Sequence, residues 1–263
     1  MTYETVIFGI ENGVARITIS RPAQMNAIDV QTAKELARAA KQCSADSTVR
    51  CVVLAGAGDR AFCAGGDVAG FASDPERVDS LMEEMTVHLH EAISVFAHMR
   101  APVVAEVNGT VAGAGLGLMA AADLAVASQK AKFTSAYTKI GLTPDGSTTW
   151  FLPRLIGYRR AKELFLLNRV LSAAEAMAWG LINQVVAPEE LAATVDEIAE
   201  QLARGPTLAF ASVKRLLLSS GDAILEQQMK DESASIVQMS RSPDGLAGVK
   251  AFKDKAEPSF VGS

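Results

Sequence analysis

Two short apolar runs, Cys51–Ala55 and Pro102–Val107, each lead into a cluster of glycines, and a long stretch of helical periodicity lies between them. A run that is apolar throughout, as Cys51–Ala55 is and as Pro102–Val107 is apart from Glu106, belongs to a strand covered on both faces, and neighbouring parallel strands need a long crossover, usually a helix. These segments therefore constrain the chain to an α/β sheet with crossover helices. The rest of the first half agrees. Tyr3–Ile10 and Val14–Ser20 are β-rich runs joined by Glu11-Asn12-Gly13, whose Asn-Gly suits a tight primed turn. Asp29 is placed to cap a helix carrying Val30, Ala33, Leu36, Ala37 and Ala40 at helical spacing. A second helix, from about Val78 to Met99, has Leu81, Met85, Leu89, Ala92 and Phe96 as its apolar face; His88 sits near the edge, and His90 falls with Thr86 and Ala97 on the other side. A strand over Leu124–Ala127 follows.

After Trp150 strand-like runs become rare. Ser172-Ala-Ala-Glu175 reads as a capping box, and Pro206 suits the first turn of another helix. No repeat, low-complexity tract or Ser/Gly-rich linker divides the chain, so we expect an α/β core over residues 1–200 and a helical region over 201–263. Leu164, Phe165, Leu167, Leu216, Leu217 and Leu218 supply apolar surface for a subunit interface or for internal packing.

Composition narrows the functional classes. The 263 residues include 25 Lys and Arg against 30 Asp and Glu, a net charge of −5 that argues against nucleic acid as a partner. Hydrophobic residues make up 49% and charged residues 21%, values of an ordinary globular protein. No apolar run approaches the roughly 18 residues of a membrane span, and Met1–Glu4 does not resemble the start of a secretory signal. Cys43, Cys51 and Cys63 are an odd number without CxxC spacing, which points to a reducing compartment; the cytoplasm is expected.

The run Gly56-Ala-Gly-Asp-Arg-Ala61 after the Cys51 strand matches G-x-G-x-x-A, the dinucleotide-binding pattern. That pattern should open a helix, yet Gly65-Gly66 follows where a helix would have to propagate. No P-loop signature occurs. With only His88, His90 and His98, and no HExxH or Cys/His cluster, no metal is expected. Cys63 reads as a buried structural thiol rather than a nucleophile. What remains is the pair of glycine-rich turns, Ala64-Gly65-Gly66-Asp67 and Asn108–Gly115. Small residues let the backbone approach a ligand, and two peptide N–H groups aimed at one oxygen make an oxyanion hole. Each cluster alone also reads as a tight connection between strand and helix.

Taken in order, the segments resemble the crotonase family, also called the enoyl-CoA hydratase/isomerase family. The matching stretches are Arg21-Pro22 with Asn26-Ala27, Phe62-Cys-Ala-Gly-Gly-Asp67, Ala101–Gly109 into Gly113-Ala-Gly-Leu-Gly117, Ala131-Lys-Phe133, Lys139–Gly146, Leu171-Ser172 through Trp179-Gly-Leu181, and Lys250–Lys255. The resemblance implies a spiral of β-β-α units with a C-terminal helical trimerisation region, forming trimers or hexamers. It implies that the N–H groups of Gly66 and Ala114 hold the thioester oxygen of an acyl-CoA, CoA being part of the substrate and no separate cofactor being needed. By the same resemblance Arg21, Ala23, Ala64 and Asp67 line the CoA channel, and Phe252 and Lys255 reach CoA from a neighbouring subunit.

The departures from the hydratase pattern are informative. Hydratases of the family place two glutamates over the bound enoyl group; the aligned positions here are Gly117 and Tyr137. Asp145, in Thr143-Pro144-Asp145-Gly146, stands where several isomerases and a dehalogenase branch carry their catalytic carboxylate, although Pro-Asp-Gly is also an ordinary turn and Asp a helix cap. Tyr137 is the next candidate for the catalytic group. His90 resembles the general-base histidine of 4-chlorobenzoyl-CoA dehalogenase, while its place off the apolar face also fits a solvated histidine. The expectation is a double-bond isomerase acting on an acyl-CoA, of the 3-enoyl-CoA or ring-epoxide phenylacetyl-CoA type; Thr149-Trp-Phe-Leu-Pro153 also resembles the latter branch. The alternatives are hydrolytic dehalogenation, with Asp145 as nucleophile and His90 activating water, and a non-catalytic homologue.

Overall fold

The Asn-Gly turn forms the tight hairpin it predicts. In a computed structural model that describes residues 2–263, Met1 lying outside the described residues, strands β1 (Val6–Glu11) and β2 (Val14–Ile19) are joined by Asn12 and Gly13 at φ 50° and 79°. Both central residues are left-handed, as a type I′ turn requires. Ala15, Ile17 and Ile19 alternate inward along β2. The Asp29 carboxylate accepts from Thr32 N at 2.7 Å and opens helix α1 (Val30–Ala45).

Three β-β-α units follow. In each, a strand of a large sheet is succeeded by a three-residue strand of a small sheet and then by helix: β3 (Cys51–Gly56) and β4 (Ala61–Cys63) with α2 (Val68–Ala72) and α3 (Val78–His98); β5 (Val103–Val107) and β6 (Thr110–Ala112) with α4 (Ala114–Ala120); β7 (Leu124–Ser128) and β8 (Lys132–Thr134) with α5 (Thr148–Ile156) and α6 (Tyr158–Leu167). The chain continues through β9 (Leu171–Ser172), α7 (Ala173–Trp179) and β10 (Gln184–Val186). The large sheet has the order β1-β2-β3-β5-β7-β10 and the small one β4-β6-β8-β9. Corresponding strands of successive units pair in parallel, so the chain winds as a spiral. The sequence reading placed only one strand in each turn; β4, β6 and β8 are too short to carry a period of two and had read as turn or motif.

The apolar runs have the two-sided cover they demand. Val52, Leu54, Val103, Ala105 and Ala127 face the main core. Cys51, Val53, Val104 and Val126 face Leu191, Val195, Ala199 and Ala203 of α8 (Leu191–Arg204). Thus α8 belongs to the outer wall of the sheet and runs past residue 200. Ser172 and Glu175 form the expected capping box, and Pro206 sits one position before α9 (Thr207–Ser220). Helices α10 (Leu225–Ser240) and α11 (Pro243–Asp254) complete the chain and expose Ile236, Leu246, Val249 and Phe252. Of the leucines proposed for an interface, Leu164 is buried in the chain's own core, whereas Leu167 and Leu217 are exposed.

Helix α3 buries Met85, Leu89, Ala92 and Phe96 as its periodicity predicts. Ala97, assigned to the opposite side, is buried too. The stripe through Thr86, His90 and Ala97 is covered at Ala97 and exposed at His90, and it turns toward the loop before α5 and toward α9.

Candidate active site

The two glycine turns meet. Gly65 (φ 102°) and Gly113 (φ 51°) occupy conformations that disfavour a side chain, and a Cβ on Gly65 would lie 3.4 Å from Gly113 Cα and 3.5 Å from Ala114 N. The orientation of Gly66 follows from the parallel bridge between Ile28 and Gly66. Ile28 N donates to Gly65 O at 2.7 Å, and Asp67 N donates to Ile28 O at 2.8 Å. In such a bridge the intervening residue points its own N–H to the opposite side. Neither the Gly66 N–H nor the Ala114 N–H, at the first residue of α4, has an acceptor among the described residues. Both residues line one cavity of about 310 Å³.

That cavity has an apolar wall made by Phe71, Met82, Met85, Ile140 and Leu142, none of which the sequence had marked as a site residue, Met85 having been read as core. They come from α2, α3, the turn Thr138–Ile140 and the loop after it, and only tertiary packing gathers them into one wall. Tyr137 and Asp145 line it as well, Asp145 being its one carboxylate. Ala136 (φ 59°) and Ser147 (φ 65°) hold left-handed conformations costly for non-glycine residues, and they bracket the segment bearing both side chains.

Asp145 is not the cap of α5. Ser147 occupies that position without a side-chain cap bond, and it is the backbone carbonyl of Asp145 that accepts from Thr148 Oγ1 at 2.8 Å and from Tyr137 Oη at 3.1 Å. Among the described residues the carboxylate has a single partner, Asp145 Oδ1 lying 2.8 Å from His90 Nε2. The structure thus joins His90 to Asp145, against the expectation from helix periodicity alone. Tyr137 is unsuited to be a base: burial, reinforced by the Asp145 charge, pushes its pKa upward, and its hydroxyl is spent on the Asp145 carbonyl. It positions the loop instead.

The hydratase position Gly117 is closed to any side chain. A Cβ there would sit 1.9 Å from the Gly146 carbonyl oxygen, so α4 packs backbone to backbone against the Asp145 loop. Gly115 is constrained likewise by Cys63, at 2.4 Å from its carbonyl oxygen. Cys63 is fully buried, and burial pushes its thiol up to about 12, in keeping with a structural role.

Of the residues expected along the CoA channel, Ala64 lines the cavity, while Arg21, Ala23 and Asp67 do not. Ala23 is exposed on the turn Pro22–Gln24. Arg21 bridges Asp67 at 2.8 Å and Asp29 at 3.1 Å, and Asp67 Oδ1 accepts from Gly70 N at 3.0 Å. Asn26 accepts from Arg21 N and donates to Ala57 O and Ala61 O. The Arg21…Asn26 motif therefore braces the turn that presents Gly66. Burial opposes ionisation of Asp67, but the Gly70 N–H and the Arg21 guanidinium outweigh it and hold the carboxyl below its ordinary value. The stability this carboxylate contributes is complete above the ordinary carboxylate range and is lost as pH falls through the lowered folded value. Asp67→Asn should accordingly flatten the acid limb of the stability curve, read as thermal unfolding from about pH 7 to about pH 3. Phe252, 88% exposed, and Lys255 lie on and just after α11, outside this cavity.

Known proteins resemble the chain over nearly its whole length. The chain matches the enoyl-CoA hydratase/isomerase family over residues 9–263. It is 37% identical, over 98% of its length and 99% of the other chain, to the 1,2-epoxyphenylacetyl-CoA isomerase of Escherichia coli. It is 34% identical, over 93% of its length and 88% of the other, to a 4-chlorobenzoyl coenzyme A dehalogenase of an Arthrobacter species. The crystal structure of an enoyl-CoA hydratase from Bacillus anthracis superimposes with a TM-score of 0.93 at 29% identity, covering 99% of this chain and 100% of that one. Two converging glycine turns on a β-β-α spiral, matched from end to end, identify the chain as a member of the enoyl-CoA hydratase/isomerase, or crotonase, family.

Proposed function

We propose that the protein is a cytoplasmic acyl-CoA double-bond isomerase in which Asp145 is the base. The observation that carries this reading is the Asp145 carboxylate, held only by His90, in the same apolar cavity as the Gly66 and Ala114 N–H groups. A thioester oxygen between the two N–H groups would gain its negative charge where the donors already point. Asp145 takes the proton at C2 of a 3-enoyl-CoA, the C–H pair flows into the dienolate, and a proton returned at C4 completes the shift to the 2-enoyl-CoA. No cofactor beyond the CoA carried by the substrate is needed. Simple hydration is disfavoured because position 117 admits no glutamate and position 137 is tyrosine.

The His90–Asp145 hydrogen bond supports a second reading, hydrolytic dehalogenation of an aryl-CoA through an ester on Asp145, and the relatives with that name make it worth testing. A non-catalytic homologue would have no need of the retained carboxylate. Assaying 3-enoyl-CoA, 2-enoyl-CoA, a ring-epoxide phenylacetyl-CoA and 4-chlorobenzoyl-CoA separates the readings. Double-bond or ring isomerisation without chloride release is the expected result; chloride release moves the assignment to the dehalogenase, and no reaction on any of them removes the enzyme. In the same series, calorimetry should show binding of acetyl-CoA and none of NADH. The G-x-G-x-x-A run leads into β4 instead of a helix, so the turn that would hold a pyrophosphate is missing.

We further propose that the acting form is a homotrimer or hexamer assembled through the exposed apolar faces of α10 and α11, with Arg21, Ala23, Ala64 and Asp67 near the CoA moiety and Phe252 and Lys255 supplied by a neighbour. Light scattering at micromolar concentration should give a mass of three or six chains. A monomer would remove the cross-subunit role of Phe252 and Lys255.

A further inference from the structure

We propose that Arg21 is a positioning residue for the oxyanion hole: its guanidinium clamps the backbone bridge that aims the Gly66 N–H, so it governs how strongly a bound thioester is polarised and not how tightly CoA is gripped. The inference rests on the reading that the Gly66 and Ala114 N–H groups hold the thioester oxygen, and adds to it the residue that keeps one of them on target.

The two donors are supported unequally. The Ala114 N–H opens α4, whose Gly115 and Gly117 are packed against the backbone of Cys63 and Gly146, so the helix itself fixes its direction. Gly66 follows Gly65, and neither has a side chain to restrict its backbone. What holds them comes from the segment before α1. Met25 O accepts from Ala64 N at 3.1 Å, and Ile28 bonds to Gly65 and Asp67 on either side of Gly66. The Arg21 guanidinium closes this bridge from both chains: Nη1 donates to the carbonyl of Ala27, next to Ile28, and Nη2 to the carboxylate of Asp67, next to Gly66. It acts as a rigid fork because its own backbone is fixed, Arg21 N donating to Asn26 Oδ1 at 3.0 Å and Asn26 N to Arg21 O at 2.9 Å.

Charge separates this role from a grip on CoA. One guanidinium faces two carboxylates, Asp67 at 2.8 Å and Asp29 at 3.1 Å. Its positive charge is matched inside the group, whose sum is negative, so a CoA phosphate approaching it meets repulsion instead of attraction. The Arg21 side chain is only 15% exposed, and it is absent from the lining of the acyl cavity. No neighbour duplicates the clamp. Asp29 is committed through Oδ1 to capping α1, and Asn26 spends its amide on Ala57 O and Ala61 O. A lysine would keep the charge but not the clamp, because it offers a point charge on a flexible stem in place of a planar fork.

Infrared difference spectra of bound acetyl-CoA, isotope-labelled at the thioester carbonyl, read the donors directly, because a carbonyl held by two aimed N–H groups stretches at lower frequency than in free solution. Wild type should show that lowering. Arg21→Lys should give back roughly half of it or more and reduce turnover of a 3-enoyl-CoA about tenfold or more, the effect of misplacing a positioned donor, while the Kd of free CoA, which has no thioester carbonyl, stays within about twofold. A merely structural arginine would lower the melting temperature without moving the carbonyl band of the folded enzyme. Asp67→Asn loosens the clamp from its other end and should move band and turnover the same way, which keeps the proposal testable if Arg21→Lys does not fold. Markedly weaker binding of free CoA by Arg21→Lys, with the carbonyl band unmoved, would make Arg21 a CoA contact and overturn the clamp. Band and turnover equal to wild type in both variants would also overturn it and leave the thioester reading intact. If wild type binds acetyl-CoA without lowering its carbonyl frequency, the thioester reading fails and the clamp falls with it.

Discussion

Asp145→Asn is expected to lower the turnover of a 3-enoyl-CoA by 10²-fold or more, the scale of losing a general base, while thioester affinity changes little. Asparagine keeps the size of the side chain and a hydrogen bond to His90, so what is removed is the ability to accept a proton. The fold should tolerate it, because the bonds that hold the loop, from Tyr137 and from Thr148, go to the backbone carbonyl of Asp145. Binding should survive because Gly66 and Ala114 present main-chain donors that the substitution does not touch. Steady-state kinetics and calorimetric titration of the two enzymes check both halves. An Asp145→Asn enzyme as active as wild type would show that the residue serves only its turn, and Tyr137, committed to the Asp145 carbonyl, would not be available to replace it.

Gly117 gives the second large effect. Restoring a glutamate at the position where hydratases carry one should not restore hydration here; Gly117→Glu should destabilise the protein and abolish isomerisation. A Cβ would meet the Gly146 carbonyl oxygen at 1.9 Å, a contact that only a shift of α4 or of the Asp145 loop can relieve. Even Gly117→Ala should cost about 2–3 kcal/mol, the scale of overpacking a closed interior, and lower the melting temperature by roughly 5–10 °C. The loop that must yield carries Asp145 beside Gly146, so activity in the folded fraction should fall at least about tenfold, the effect of a displacement near 1 Å on a positioned group. Calorimetric melting and specific activity of Gly117→Ala test this. A variant with unchanged melting temperature and activity would mean that α4 does not pack against the loop as described.

These two residues mark where reading the sequence succeeds and stops. Asn12-Gly13, the Asp29 cap, the Ser172 capping box and the paired glycine turns were legible because each meets a steric or hydrogen-bonding demand within a few residues along the chain. The continuous apolar strands likewise announced their two-sided burial, and the ordered motifs carried the family with its spiral. Asp145 was visible as a candidate, but its sequence context equally described a helix cap; only the structure shows the backbone carbonyl holding the turn and the carboxylate turned to His90. The three-residue strands of the small sheet had no period to display. The apolar wall of the cavity is gathered from elements distant in sequence, whose side chains look like ordinary core. His90 was assigned by periodicity to the side of α3 away from the main core, which it is, and that side proved to face Asp145. Local chemistry was set by the sequence. The meeting of side chains across the spiral was decided by tertiary packing, since a helix's period tells which residues share a face but not what the fold will lay against it.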